Sequence, residues 1–226
     1  MSPGRTLATS RTVRGARGCD ICTHAGPYAE YAILKIIEEP LDMLAEHGHI
    51  PIAYEVRSRF RADAADGGLE GIALVEEPVD PPYVKDYDQT SEEGPARWPA
   101  RWLDRWDTSA WGLLAAYDGS RRVGGALLAL RTPNVNMLEG RDDLLVLWDL
   151  RVHPDQRGGG VGRELFEAAV DWGRHHGCVE MKIETQNTNV PACRFYARQG
   201  CRLGAIISNA YAEFPDELQL IWRIPL

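Results

Sequence analysis

The sequence predicts an α/β domain, on three observations. Residues 144–152 form a dense apolar run of the kind that becomes a central strand buried on both faces. A glycine-rich turn from Arg157 to Gly162 follows at once, and Leu165, Phe166, Ala169, Val170 and Trp172 then recur at helical spacing. Upstream, residues 111–117 and 123–130 read as two strands joined by Asp118-Gly119-Ser120-Arg121, which is hairpin turn chemistry. Strands followed by a strand–glycine turn–helix unit give the chain its α/β pattern.

The remaining elements follow in order. Tyr31, Leu34, Ile37, Leu41 and Leu44 recur near a 3.6-residue period and predict a helix broken or kinked before Pro40. Ile50, Ile52, Tyr54 and Val56 alternate as in a strand, and a second strand is expected at 72–75. Pro78, Pro81 and Pro82 then predict an extended loop through Tyr83, Asp86, Tyr87 and Asp88. Trp98, Trp102 and Trp106 are spaced i, i+4, i+8, so a helix there places three indoles on one face, either as a packing stripe or facing a substrate. A polar loop over 132–143 leads into the central strand. A strand over 179–185 and a helix ending at Gly200 come after the glycine turn.

Composition bounds the function. Of 226 residues 44% are hydrophobic and 26% charged, and no apolar run approaches the roughly 18 residues of a membrane span. A formal charge of −8 argues against a general nucleic-acid binder and suits a cationic small-molecule partner. Residues 1–27 carry Arg5, Arg11, Arg14 and Arg17 against Asp20 and read as a disordered basic leader, leaving 28–226 as a single domain. Cys19, Cys22 and His24 supply half of a zinc site at most, and Thr23 spoils the c-type haem signature, so no metal site is expected. Five scattered cysteines without a secretory leader point to a reduced, cytoplasmic protein.

The glycine turn carries the chemistry. Glycines let a backbone approach a ligand closely, and a helix start adds free N–H groups at the positive end of its dipole, which suits a pyrophosphate. A Walker loop needs Gly-Lys-Ser/Thr, but Gly162 is followed by Arg163 and Glu164. The dinucleotide fingerprint loses its third glycine at Arg163. Arg157-x-x-Gly160-x-Gly162 remains, followed by Asn189-x-x-Ala192-x-x-x-Tyr196.

These linked motifs resemble the GNAT superfamily of acyl-CoA-dependent N-acyltransferases. Residues 183–193 with Tyr196-Ala197, Leu203-Gly204, Pro82-Tyr83, Lys85-Asp86-Tyr87, Tyr211 and Ile221-Trp222 are similar to the streptothricin acetyltransferase branch. The tryptophan-rich segment 95–111, the longer loop 132–143 and Cys201 after Gly200 depart from that branch.

The resemblance implies a mixed, twisted sheet with a central splay that receives the pantetheine arm of acetyl-CoA. It places Arg157, Gly158, Gly159, Gly160, Val161 and Gly162 on the pyrophosphate, Leu150 and Val152 along the arm, and Asn189 and Ala192 near its amide. Tyr196 falls at the sulfur, as general acid or as a packing phenol. Asn189 is also a natural N-cap before Pro191. The implied reaction is direct transfer to a primary amine, with no metal and no covalent enzyme intermediate. An alkylammonium with pKa near 10.4 leaves only about a thousandth as free base at neutral pH, so a proton acceptor is needed. Asp149 is the nearest candidate, with Glu184 or an acid of the 86–93 loop as alternates. Tyr83, Asp86, Tyr87, Asp88 and Trp102 are the expected substrate contacts. Expected acceptors are a small cationic amine such as a streptothricin-like antibiotic, or a peptide amine. A silent acyl-CoA sensor and a homodimer stay open.

Overall fold

The computed structural model describes residues 34–64, 71–88 and 97–226; the expected leader 1–27, Tyr31, the acidic positions Glu92 and Glu93 and the Trp98 indole lie outside what is described. In chain order the elements are β1 (Leu34–Glu39), a 3-10 turn leading into α1 (Leu44–Gly48), β2 (Tyr54–Ala64), β3 (Ile72–Lys85), α2 (Arg97–Arg105), β4 (Gly112–Asp118) and β5 (Arg121–Ala129). There follow β6 (Leu144–Val152), α3 (Val161–His175), β7 (Glu180–Gln186), α4 (Val190–Arg198), β8 (Arg202–Ile207) and β9 (Gln219–Pro225). Seven strands form one sheet in the order β1-β4-β5-β6-β7-β9-β8, while β2 and β3 pair separately. Only the β6–β7 pair is parallel in the large sheet, so the sheet is mixed.

The apolar run of β6 is explained by its place as the middle strand, covered on both faces. Leu145 and Leu147 pack with Leu165, Phe166, Met181 and Ile183 on the α3 face. Val146 and Trp148 pack with Leu44, Trp111, Leu127 and Leu138 on the face that carries α1 and α2. Burial of such side chains is the main favourable term of the fold.

Three expectations are corrected. Residues 34–39 form an edge strand rather than a helix: Pro40 leaves too few residues for stable turns, the paired Ile36 and Ile37 favour extended backbone, and β4 supplies a partner. The helical spacing from Leu34 to Leu44 was a coincidence across two elements. Residues 76–85 are strand rather than loop, because β3 runs on to Lys85. The register jumps between Val56 and Ser58, whose partners are Tyr83 and Pro78, so Pro81 and Pro82 fall in a bulge where no ladder donor is required. The helix over the tryptophans ends at Arg105, and Trp106 turns into the packing cluster with Trp111 and Trp148.

The central strands part. β6 and β7 are in register from Leu144 and Glu180 to Leu147 and Ile183, after which β6 continues to Val152 and β7 to Gln186 without pairing each other. At the same level the β5–β6 register shifts, Leu128 facing Leu147 and Leu127 facing Asp149, so Trp148 is the extra residue of a β-bulge. The bulge re-aims the strand: Leu150 and Val152 pack on the α3 face, whereas Arg151 donates to the carbonyls of Gly48 and Ile50 beside α1.

Candidate active site

The turn between β6 and α3 is built from backbone that only glycine adopts readily. Gly158 and Gly160 sit at φ 82° and 98°, in the left-handed region, and Gly160 is the N-cap of α3. The first-turn N–H groups of that helix therefore point out of the turn without helical partners. Arg157 holds the turn in place: its Nε–H donates to the Val152 carbonyl (3.1 Å), and its remaining arms reach the carbonyls of Ala53 (3.0 Å) and Pro51 (2.8 Å). A Cβ on Gly162 would make ordinary contact at 3.6 Å with Phe195 and Val152, so this position needs smallness rather than unusual backbone.

A cavity of about 760 Å³ runs from this turn into the splay. Arg157, Gly158, Gly160 and Gly162 line one end; Leu150, Val152, Asn189, Ala192 and Tyr196 line the middle. Gly159 and Val161 do not line it; Val161 is buried in the core under α3. Asn189 is the N-cap of α4, its Oδ1 accepting from the Ala192 N–H at 3.2 Å, so the capping role is filled and the residue still faces the cavity. Tyr196 is buried against Phe195 and Phe166, with ring centres 5.2 and 6.1 Å away. Burial, reinforced by Cys201 and Asp149, pushes its phenol well up, so it keeps its proton at neutral pH.

Two carboxylates line the cavity, in different states of engagement. Asp149 is buried; Oδ2 accepts from Arg151 Nε at 2.9 Å and lies 3.7 Å from His47 Nε2. Burial would raise this carboxyl, but Arg151 and His47 outweigh it and hold it below its ordinary value. Glu184 is half-buried on β7 and accepts from the Tyr211 hydroxyl at 2.7 Å.

The profile of the Acetyltransferase (GNAT) family matches residues 75–201, more than half of the chain, and spans the turn, the splay and α4. The chain belongs to the Acetyltransferase (GNAT) family. Streptothricin acetyltransferase A of Bacillus subtilis (strain 168) is 34% identical over 76 residues, 33% of this chain and 44% of the relative. Streptothricin acetyltransferase of Streptomyces lavendulae is 29% identical over 143 residues, 63% of this chain and 69% of the relative. With the Escherichia coli streptothricin acetyltransferase, matched over 48% of its length, the chain spans about half of two of these three curated relatives. Among solved structures, nourseothricin acetyltransferase superposes with a TM-score of 0.63 at 23% identity, covering 85% of this chain and 98% of that one. A Bacillus anthracis str. Ames protein in complex with acetyl coenzyme A gives 0.65 at 22% identity, covering 86% and 98%. These superpositions show the GNAT fold.

Within this GNAT domain the expected substrate contacts separate. Tyr87 and Trp102 line the cavity, whereas Tyr83, Asp86 and Asp88 do not. Tyr83 is 42% exposed on β3. Asp86 accepts from the Asp88 N–H at 3.0 Å, and Asp88 is buried in an ion pair with Arg151. Of the two expected acidic contacts, Asp88 is therefore engaged by a buried cation. Tyr54 and Gln186 were missed: Tyr54 Oη lies 3.0 Å from Tyr87 Oη and 3.3 Å from Thr188 Oγ1, and the Tyr87 hydroxyl donates to Gln186. Desolvation pushes the Tyr54 phenol up to about 12, so both hydroxyls remain neutral dipoles on the cavity wall. The alternation of Glu184 and Gln186 along one face of β7 was the sequence signal available for this wall.

Proposed function

We propose that this GNAT domain transfers the acetyl group of acetyl-CoA directly to a primary amine of a small cationic molecule, with a streptothricin-like antibiotic the first candidate. The observation that carries the reading is the splay between β6 and β7 ending at a glycine turn and helix start: one elongated cavity joins an anion site to a backbone edge released from pairing. The likeness to streptothricin acetyltransferases supports the same reading.

Acetyl-CoA would supply a thioester-activated acetyl group. The N–H groups of Gly158 to Gly162 and the first turn of α3 would hold the pyrophosphate, since they combine close approach with the helix dipole. Leu150 and Val152 would offer their unpaired backbone edge to the pantetheine amides, and Asn189 would face them from α4. A backbone N–H at the bulge, fixed before reaction, would stabilise charge developing on the carbonyl oxygen. Tyr196, buried and protonated, would give its proton to the departing sulfur.

The attacking amine must lose a proton. Asp149, the nearest carboxylate expected from sequence, is committed to Arg151 and held acidic, so it suits keeping the site negative. Glu184, facing the same cavity and oriented by Tyr211, is the better placed acceptor. Glu184, Tyr54 and Tyr87 together favour a cationic acceptor over an anionic one.

Incubating the protein with acetyl-CoA and streptothricin should release free thiol and add one acetyl group to the antibiotic, read by mass. Acetyl-CoA binding without transfer to streptothricin or any other amine would leave a silent acyl-CoA binder.

A further inference from the structure

Past the splay the cavity reaches the α1/α2 face of the sheet, and there its lining changes character. Trp102 from α2, Met137 from the turn before β6 and Trp148 from the β6 bulge line it, each only half-buried. Trp102 meets Trp148 edge-on with ring centres 6.1 Å apart, and Trp106 and Trp111 back Trp148 at 5.0 and 5.3 Å. The result is a rigid apolar wall whose rear is packed and whose front faces the cavity.

Glu184 stands beside that wall. The parallel register ends at Leu147 and Ile183, so Trp148 and Glu184 are the first residues of each strand beyond the last pair. They also share a face. Lys182, two residues before Glu184, reaches Glu139 at 2.9 Å in the segment that carries Met137, whereas Ile183 packs on the α3 face. A carboxylate and an indole thus flank the mouth of the splay on the side opposite the glycine turn.

We infer that the acceptor is an amphipathic amine, its ammonium beside Glu184 and an apolar or aromatic body laid against Trp102, Met137 and Trp148. The inference rests on the acetyltransferase reading but not on its first-named candidate: it requires an amine that carries an apolar or aromatic body. The wall suits the acceptor rather than a long acyl chain, because Leu150, Val152 and the glycine turn place the donor on the α3 face while the wall lies on the other. Half-exposed indole surface loses its water only when an apolar partner covers it. An anchor group of this size in a pocket discriminates on the order of tenfold or more.

The test compares primary amines with acetyl-CoA by thiol release: phenethylamine and hexylamine against ethanolamine and putrescine. The wild-type protein should show kcat/KM at least about tenfold higher for the first pair. Met137→Ser and Trp102→Ala should raise KM for phenethylamine by about tenfold while leaving acetyl-CoA affinity unchanged by calorimetry. Should Trp102→Ala fail to fold, the wild-type panel and Met137→Ser decide. Equal kcat/KM for both pairs overturns the inference while leaving the transferase reading intact. A Met137→Ser variant that alters preference among acetyl-, butyryl- and hexanoyl-CoA with one amine, and not preference among amines, assigns the wall to the donor and overturns it as well. Failure of every amine, streptothricin included, to raise thiol release above the amine-free rate overturns both.

Discussion

Arg151 grips Asp88 with both arms of its guanidinium, NH1 at 2.9 Å from Oδ2 and NH2 at 3.0 Å from Oδ1, with both side chains buried. Its Nε–H is spent on Asp149 and its NH1 also serves the carbonyls of Gly48 and Ile50, so one cation ties the segment after β3 and the end of α1 to the splayed strand. Arg151→Met leaves two carboxylates buried without a counterion. The expected loss is about 3–5 kcal/mol in urea unfolding, and a loss under about 1 kcal/mol would show the network to be dispensable.

His47 makes stability pH-dependent. The imidazole is fully buried, with a Cβ on Gly125 falling 2.5 Å from its Nδ1, and burial holds its pKa below the ordinary value against the opposing pull of Asp149. The unfolded chain therefore binds this proton more readily than the folded one, and stability falls as pH drops through about 6.5 towards the lower folded value. The contribution approaches about 1.4 kcal/mol per pH unit in that window. His47→Gln should flatten the difference between urea melts at pH 7 and pH 5.5; an unchanged slope would assign it to other groups.

Tyr196→Phe tests the proton donor. Turnover should fall on the order of a hundredfold, with acetyl-CoA affinity barely changed, because the hydroxyl matters as the sulfur leaves. A fall below about fivefold would leave Tyr196 a packing residue between Phe166 and Phe195.

Much of this architecture was legible in the chain. The run 144–152, the glycine turn and the period of α3 each carry a local physical cause, so β6, the turn and the helix fell where expected. The hairpin of β4 and β5 was fixed by its turn, with Gly119 at φ 59°. What escaped was non-local. Nothing in residues 34–39 marks them as strand until β4 lies beside them, and the prolines of β3 read as loop until the bulge opposite Arg57 accommodates them. The pairing of Asp88 with Arg151 was not legible because its partner lies 63 residues away. Trp102 was legible as one of a helical stripe, but its pairing with Trp148 depends on the bulge, which only the β5–β6 register reveals.

The two carboxylates of the cavity separate by variant. Glu184→Gln should lower kcat/KM on the order of a hundredfold, with folding stability near wild type. Asp149→Asn should instead show chiefly as lost stability, since it withdraws a counterion from Arg151. The reverse pattern, a roughly hundredfold loss of rate in Asp149→Asn at near wild-type stability and little loss in Glu184→Gln, would make Asp149 the base.

Whether the glycine turn and the splay bind acetyl-CoA is decided by calorimetric titration of the wild-type protein and Gly160→Leu. No heavy atom lies within 4 Å of a Cβ at Gly160, so the variant should fold with only the roughly 1–2 kcal/mol strain of a left-handed side chain, checked by circular dichroism and urea. Saturable 1:1 binding of acetyl-CoA by wild type, weakened at least about tenfold in the folded variant, is the predicted result, because the new side chain points where the pyrophosphate would lie. Equal affinity in both proteins, or none in wild type, would contradict it.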